Sequence, residues 1–271
     1  MISVSGKIWT QQKINKNLVE KAKQDYGLGD FLSQLIISRN YDISEIYGIH
    51  NNQKLTNIFK DDKDYQKASL IILNSINNNE NICILGDYDV DGACATSLLV
   101  RYFIHINQKH YFYIPDRVTD GYGASKKLFQ KLILKKPKLI IMVDCGSTSN
   151  DAINYLNKHN IKSIIIDHHE INKPYPKSNA LINLKKEIFK KKYSYFCATS
   201  LTYFFIDNLI NKSKSNFELS NFLIYVLLAT VCDVMPLRKE NKIIAKKVIY
   251  DFNLKDNVAI DFLFKLHSLK K

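Results

Sequence analysis

No apolar run in this 271-residue sequence reaches the ~18 residues needed to span a bilayer. Nor does Met1-Ile-Ser-Val-Ser-Gly-Lys-Ile-Trp9 carry an apolar core followed by small residues, which argues against secretion. Cysteine is sparse. The five thiols (Cys83, Cys94, Cys145, Cys197, Cys232) are odd in number and form no C-x-x-C pair. Set among apolar or small neighbours, they read as reduced core thiols and point to a cytoplasmic protein. There is no G-x-x-x-x-G-K-[ST], so no P-loop, and no G-x-G-x-x-G at the first turn. G-x-S-x-G is missing as well, which disfavours an α/β-hydrolase. Arginine is scarce, with four residues among 39 basic ones. A net charge of +13 suits a polyanionic partner. Lys, Asn and Ile are used heavily throughout, however, so part of that charge is compositional.

What remains is a well-patterned chain. A hydrophobic fraction of 46% against 24% charged residues fits a folded protein with one large domain and an extension. Residues 1–60 read as a helical extension. A helix over 17–26 stops at Gly27, a second covers 30–38, and Asp42-Ile-Ser-Glu45 is a capping box. Trp9 and Tyr26 offer rings to bases, although packing is the commoner use of such rings. A helix over 67–76 then leads into an apolar strand at 81–86. Strands at 111–114, 139–143 and 163–166 alternate with helices over 93–106, 125–135 and 149–159. That alternation predicts an α/β fold whose parallel sheet is covered on both faces. Past Pro174 and Pro176 comes a basic stretch from Lys185 to Lys192. Buried helices at 196–206 and 221–230 follow, then amphipathic segments at 241–251 and 257–268. The expected division is an extension (1–60), a catalytic domain (61–237) and a helical linker segment (238–271).

Three of the strands end in acids. The first runs into Asp87, Asp89 and Asp91, the third into Asp144, and the fourth into Asp167-His168-His169-Glu170. Carboxylates this close repel one another, so they need either open solvent or a cation between them. In a parallel sheet every strand's carboxyl end lies on one edge, so the clusters converge. Separate surface turns do not explain that coincidence. Asp and His together form a hard-to-borderline donor set suited to Mn²⁺ or Mg²⁺. Two such ions about 3.5–4 Å apart would acidify a water and clamp an in-line displacement at phosphorus. Asp233 closes a buried helix and is a further candidate ligand, because a buried carboxylate needs a charged partner. In Asp116-Arg-Val-Thr-Asp-Gly-Tyr-Gly123, Arg117 suits bidentate contact with phosphate. Gly121 and Gly123 would let backbone N–H groups approach an anion. A plain surface turn with an ion pair explains that loop equally well.

Gly86-Asp-Tyr-Asp-Val-Asp-Gly92, the Asp116–Gly123 segment, Val143-Asp-Cys-Gly146 and Asp167-His-His169 resemble the successive motifs of the DHH phosphoesterase superfamily. Within it they are most similar to the RecJ-type single-stranded-DNA-specific exonucleases. Gly6-Lys-Ile-Trp9, Ala180-Leu-Ile-Asn183 and Thr230-Val-Cys-Asp-Val-Met-Pro-Leu237 fit the same pattern. The resemblance implies two Mn²⁺ or Mg²⁺ ions held by Asp89, Asp91, Asp144, His168 and Asp233, with Asp87 adjacent through solvent. It implies that His169 contacts the scissile phosphate or moves a proton, and that Asp167 orients its neighbours. It further implies 5′→3′ hydrolysis of single-stranded DNA in recombination and repair, with no membrane partner. RecJ-type proteins continue into a DHHA1 domain and an oligonucleotide-binding module. The expected partners therefore include such a C-terminal half or a single-strand-binding protein. Thr199-Ser200 stands where these sequences commonly carry Gly, and its Cβ is expected to narrow the approach of substrate. Two rival readings stay open: an oligoribonucleotide or cyclic-dinucleotide phosphodiesterase, and an inactive DHH module that only binds.

Overall fold

A computed structural model describes residues 2–8, 10, 13–42, 45–47, 53–121, 123–186 and 193–269. Trp9, Tyr122 and residues 187–192 of the basic stretch lie outside the described residues. The chain forms two compact units, Met1–Lys54 and Leu55–Lys271.

In the first unit, α1 (Lys16–Tyr26) is capped by the Asn15 side chain and stops at Gly27, whose φ of 62° suits glycine. Helix α2 spans Asp30–Ser38. The capping box holds: the Asp42 carboxylate accepts from the Glu45 N–H, and Glu45 accepts from the Asp42 N–H. Tyr26 packs beside a small cluster of Leu28, Ile36 and Ile46, as the packing reading expects.

The second unit is built on a five-stranded, all-parallel sheet in the order β2-β1-β3-β4-β5. The strands are β1 (Ile82–Leu85), β2 (His110–Tyr113), β3 (Leu139–Val143), β4 (Lys162–Ile166) and β5 (Ala180–Ile182). Central strands β1 and β3 are buried at every residue, the result of covering both faces. Alternate side chains serve opposite layers. Ile82, Ile84, Ile141, Val143, Ile164 and Ile166 face one core. That core also takes residues of α3 (Lys63–Asn77), α4 (Val90–His105), α7 (Ala198–Ser213) and α8 (Leu223–Cys232). Cys83, Leu85, Ile140, Met142 and Ile165 face the other, under α5 (Lys126–Leu132) and α6 (Asn150–Lys158). Each fully buried aliphatic side chain contributes roughly 1.5–3 kcal/mol. Helices α9 (Lys239–Asp251) and α10 (Val258–Leu266) close the described chain.

The differences from expectation have local causes. Strand β5 carries no sequence signal, since three residues are too few to show a period. Strand β2 is an edge and half open, with Phe112 54% exposed, so the covering of both faces fails there. The helix expected from residue 93 starts at Val90, because the Asp89 carboxylate caps it through the Gly92 N–H. Asp91 consequently sits in a helical turn rather than a loop. The segment 125–135 is a short helix followed by a 3-10 turn, Ile133–Lys135. Finally, Cys83, Cys145 and Cys197 are buried, but Cys94 is half-buried and Cys232 exposed, so core thiols describe three of the five.

Candidate metal centre at the carboxyl edge of the sheet

Each strand end delivers its acid differently. Asp87 follows β1, is buried, and leaves Oδ1 without a hydrogen-bond partner. Gly92 lies against it: a Cβ there would come 2.5 Å from the Asp87 carbonyl oxygen and 2.6 Å from its nitrogen. Asp91 accepts the Ala198 N–H on Oδ2 and the Thr199 N–H on Oδ1, both at 2.7 Å, and so holds the start of α7. Thr199 Oγ1 also donates to the Asp91 carbonyl at 2.9 Å. Thr199 and Ser200 are completely buried. They face the core, so their side chains do not narrow the approach of substrate as expected.

Asp144 directly follows β3 with φ at 60°, a left-handed backbone that turns the chain sharply at the strand end. Both of its carboxylate oxygens are buried and unpartnered. Asp233 ends α8, and the next residue, Val234, takes φ 53°, an uncommon setting for a β-branched side chain.

His168 is the hub. Its Nε2 lies 3.5 Å from Asp91 Oδ2, 3.3 Å from Asp144 Oδ1 and 3.3 Å from Asp233 Oδ2. Neither ring nitrogen makes a hydrogen bond. His169 Nδ1 lies 3.7 Å from Asp144 Oδ1 and 2.8 Å from Asp167 Oδ1. Three overlapping groups each bring ligand atoms within 4.8 Å of one another: Asp144, His168 and His169; Asp91, His168 and Asp233; Asp87, Asp89 and Asp144. Asp87 and Asp89 thus share a group with Asp144, whereas Asp233 shares one with Asp91 and His168.

The electrostatics of this cluster call for positive charge. Burial, then the charges of Asp91 and Asp89, push the Asp144 carboxyl well above its ordinary range. Burial likewise raises Asp87 and Asp233. Buried polar atoms without partners are costly, and five of them, on Asp87, Asp144 and His168, belong to this cluster. An Asp/His donor set with this many unspent lone pairs fits a divalent cation of the Mn²⁺ or Mg²⁺ kind.

Asp167 behaves in the opposite way. Burial works against its charge, but hydrogen bonds from His169 and Ser147 outweigh it and lower the carboxyl to about 2. Its Oδ1 accepts the His168 and His169 N–H groups and Oδ2 accepts the Ser147 N–H. The pair with Asp167 raises His169 in turn. Asn183 braces the same loop, donating to Ser147 Oγ at 2.7 Å and to the His169 carbonyl at 2.9 Å.

Arg117 stays outside the ligand cluster. It is exposed, with its guanidinium 5.4 Å from the ring centroid of Tyr88, the residue between Asp87 and Asp89. Gly121 and Gly123 have φ of 81° and 69°, where any other residue is strained. Ser147, Tyr88 and the Ala198 and Thr199 amides carry no signal in the sequence, since their contacts cross distant segments. Asn183 shows only through its place in a family motif.

The sequence model of the DHH family, N-terminal domain, matches residues 81–230. This chain belongs to the DHH family. The DHH chain is 24% identical over 260 residues to the single-stranded-DNA-specific exonuclease RecJ of Bacillus subtilis (strain 168), covering 95% of this chain and 32% of that protein. To the exonuclease RecJ of Escherichia coli (strain K12) it is 29% identical over 190 residues, or 66% of this chain and 33% of the relative. It spans about a third of the length of these curated relatives. Its fold is that of the crystal structure of RecJ in complex with Mn²⁺ from Thermus thermophilus. That match has a TM-score of 0.71 at 18% identity, over 94% of this chain and 36% of the other. Among the described residues, no helix is long and apolar enough to cross a membrane.

Proposed function

We propose that this DHH chain is a single-stranded-DNA-specific exonuclease, as its relatives are named, that hydrolyses phosphodiester bonds from the 5′ end and serves recombination and repair in the cytoplasm. The observation that carries the reading is the set of buried, unpartnered ligand atoms on Asp87, Asp144 and His168. Two divalent cations, Mn²⁺ or Mg²⁺, would be held by Asp87, Asp89, Asp91, Asp144, His168 and Asp233, with Asp144 common to two of the three groups. Bound there, they supply the charge that acidifies water and neutralises a phosphate in the transition state.

The remaining work falls to this chain's own side chains. Asp167 fixes the His169 ring through Nδ1 and favours its protonated form, so that Nε2 can donate to a phosphate oxygen or to the leaving group. Asp144, Asp91 and His168 set the positions of the reacting groups by being immobile in the core. Arg117, stacked on Tyr88, offers its guanidinium fork to a neighbouring phosphate at the open rim. The amides near Gly121 and Gly123 lie on the same loop. The catalytic domain of this reading lies within the second unit, Leu55–Lys271, with 238–271 as a helical connection to a further DHHA1 or oligonucleotide-binding half.

The deciding assay follows mononucleotide release from 5′-phosphorylated single-stranded DNA with Mn²⁺. Release that disappears in Asp144→Ala, with circular dichroism unchanged, supports the reading. Full activity in that variant overturns the site. Turnover of dinucleotides alone would favour the short-substrate phosphodiesterase, and Mn²⁺ binding without hydrolysis of either substrate an inactive binding module.

A further inference from the structure

Helices α5 and α6 lie side by side on one face of the sheet and both begin at the carboxyl edge, following β2 and β3. No Asp or Glu occurs between Asp120 and Asp144, whereas lysines stand at 126, 127, 131, 135, 136 and 138. All six are exposed. Lys131 is paired with Asp120. Lys126 and Lys135 are held over the rings of Tyr155 and Tyr111, at 5.8 and 4.9 Å, contacts that leave their charge uncompensated. On α6, Lys158 is exposed and His159 packs its ring 4.2 Å from that of Tyr155, against a single exposed acid, Asp151. A lysine-rich composition accounts for many lysines. It does not place six exposed lysines within thirteen residues, 126–138, where no acid intervenes.

This face leads somewhere. Between the first turns of α5 and α6 lies a cavity of about 270 Å³ lined by Ser125, Lys126, Thr148, Ser149, Asn150 and Asp151. Thr148 and Ser149 belong to the loop that leaves Asp144, so the cavity opens at the same sheet edge as the acidic cluster. The hydroxyls of Ser125, Thr148 and Ser149 and the Lys126 ammonium, set against one carboxylate, Asp151, suit a phosphate, and lysines spaced along the chain beyond it suit successive ones. The half-buried Tyr155 and exposed His159 rings beside them suit unpaired bases, which is the pattern of a single-strand groove.

We propose that this cavity and the lysine face of α5 and the following 3-10 turn bind the backbone of a single-stranded nucleic acid whose reacting phosphate lies at the acidic cluster. The proposal rests on the phosphodiesterase reading above. It adds a track that gives long substrates affinity without touching the reacting bond.

The test combines Lys127→Ala, Lys135→Ala, Lys136→Ala and Lys138→Ala in one chain. Binding of a labelled long oligothymidylate is followed by anisotropy in EDTA across a salt series. Each lost phosphate contact should lower the slope of log K against log salt by about 0.7, so the quadruple variant should lose up to about 3. The matching set of Lys→Arg changes should retain both slope and affinity. Mn²⁺-dependent mononucleotide release from a saturating short single strand should be the same in all three proteins. An unchanged slope in the alanine variant overturns the proposal, as does tighter binding of a duplex than of the single strand. If no protein releases mononucleotides from single-stranded DNA with Mn²⁺ yet the slopes still differ, the hydrolase reading fails while the binding surface stands.

Discussion

His168 has three carboxylates around one ring nitrogen and no hydrogen bond to any of them. Such a cluster is unfavourable on its own and becomes favourable when a cation enters, so ion binding is stability. Saturating Mn²⁺ should therefore raise the melting temperature of the ion-free protein. At a hundredfold excess over Kd the gain is about 2.7 kcal/mol by mass action. Asp144→Asn removes the carboxylate that two of the ligand groups share and should abolish most of that shift while leaving the ion-free protein at least as stable. Scanning fluorimetry with and without EDTA measures both, and an undiminished Mn²⁺ shift in the variant would count against Asp144 as a ligand. The converging acids other than Asp233, which ends a helix, are readable in the sequence because they follow apolar strands in a parallel sheet. Asp87 is the hardest to read: its spacing looks like that of its neighbours, and only the structure shows it buried with an unpartnered Oδ1. The bracing by Ser147 and Asn183 is beyond reach, since it joins positions 36 residues apart.

At the level of elements, the segment from β2 to α5 shows how a loop is fixed without a core. Asp120 accepts from Lys131 Nζ at 2.5 Å and from Tyr113 Oη at 2.6 Å, and also from the Asp116 N–H at 3.2 Å. The Lys131 bond first, then that of Tyr113, lowers its carboxyl to about 2. A carboxyl depressed on folding stabilises the protein above its unfolded value of about 4, and the contribution is lost as pH falls through the folded value. Asp120→Asn should thus be less stable than the parent at neutral pH, and the gap should close between about pH 4 and pH 2. Urea titrations along that pH range provide the check, and a constant gap would mean the carboxylate is not the cause. Strands β1, β3 and β4 are legible as apolar runs. The early start of α4 is not, because a capping aspartate and a ligating aspartate look alike in sequence, and here Asp89 does cap the helix.

Across the whole second unit, fold class is the easiest inference, since regular β/α alternation leaves few other arrangements. Edge strand β2 is legible to within a residue, although it is half open, whereas three-residue β5 escapes because it is too short to show a period. One contact reaches further than its local geometry. The same Asp91 carboxylate that faces His168 also secures the first amides of α7, and further along that helix Phe204 and Asp207 receive the Asn57 side chain. Occupancy of the centre should therefore bias order at residues 55–62 through a shared helix, and any such linkage is reciprocal. Mn²⁺ should slow amide hydrogen exchange around Phe59 and at the start of α7, and Asn57→Ala should weaken Mn²⁺ affinity severalfold without touching a ligand. Equal exchange rates with and without the ion would break the link. If it holds, the centre reports on the integrity of the fold around it, and a partly unfolded chain loses its ions before it loses its sheet.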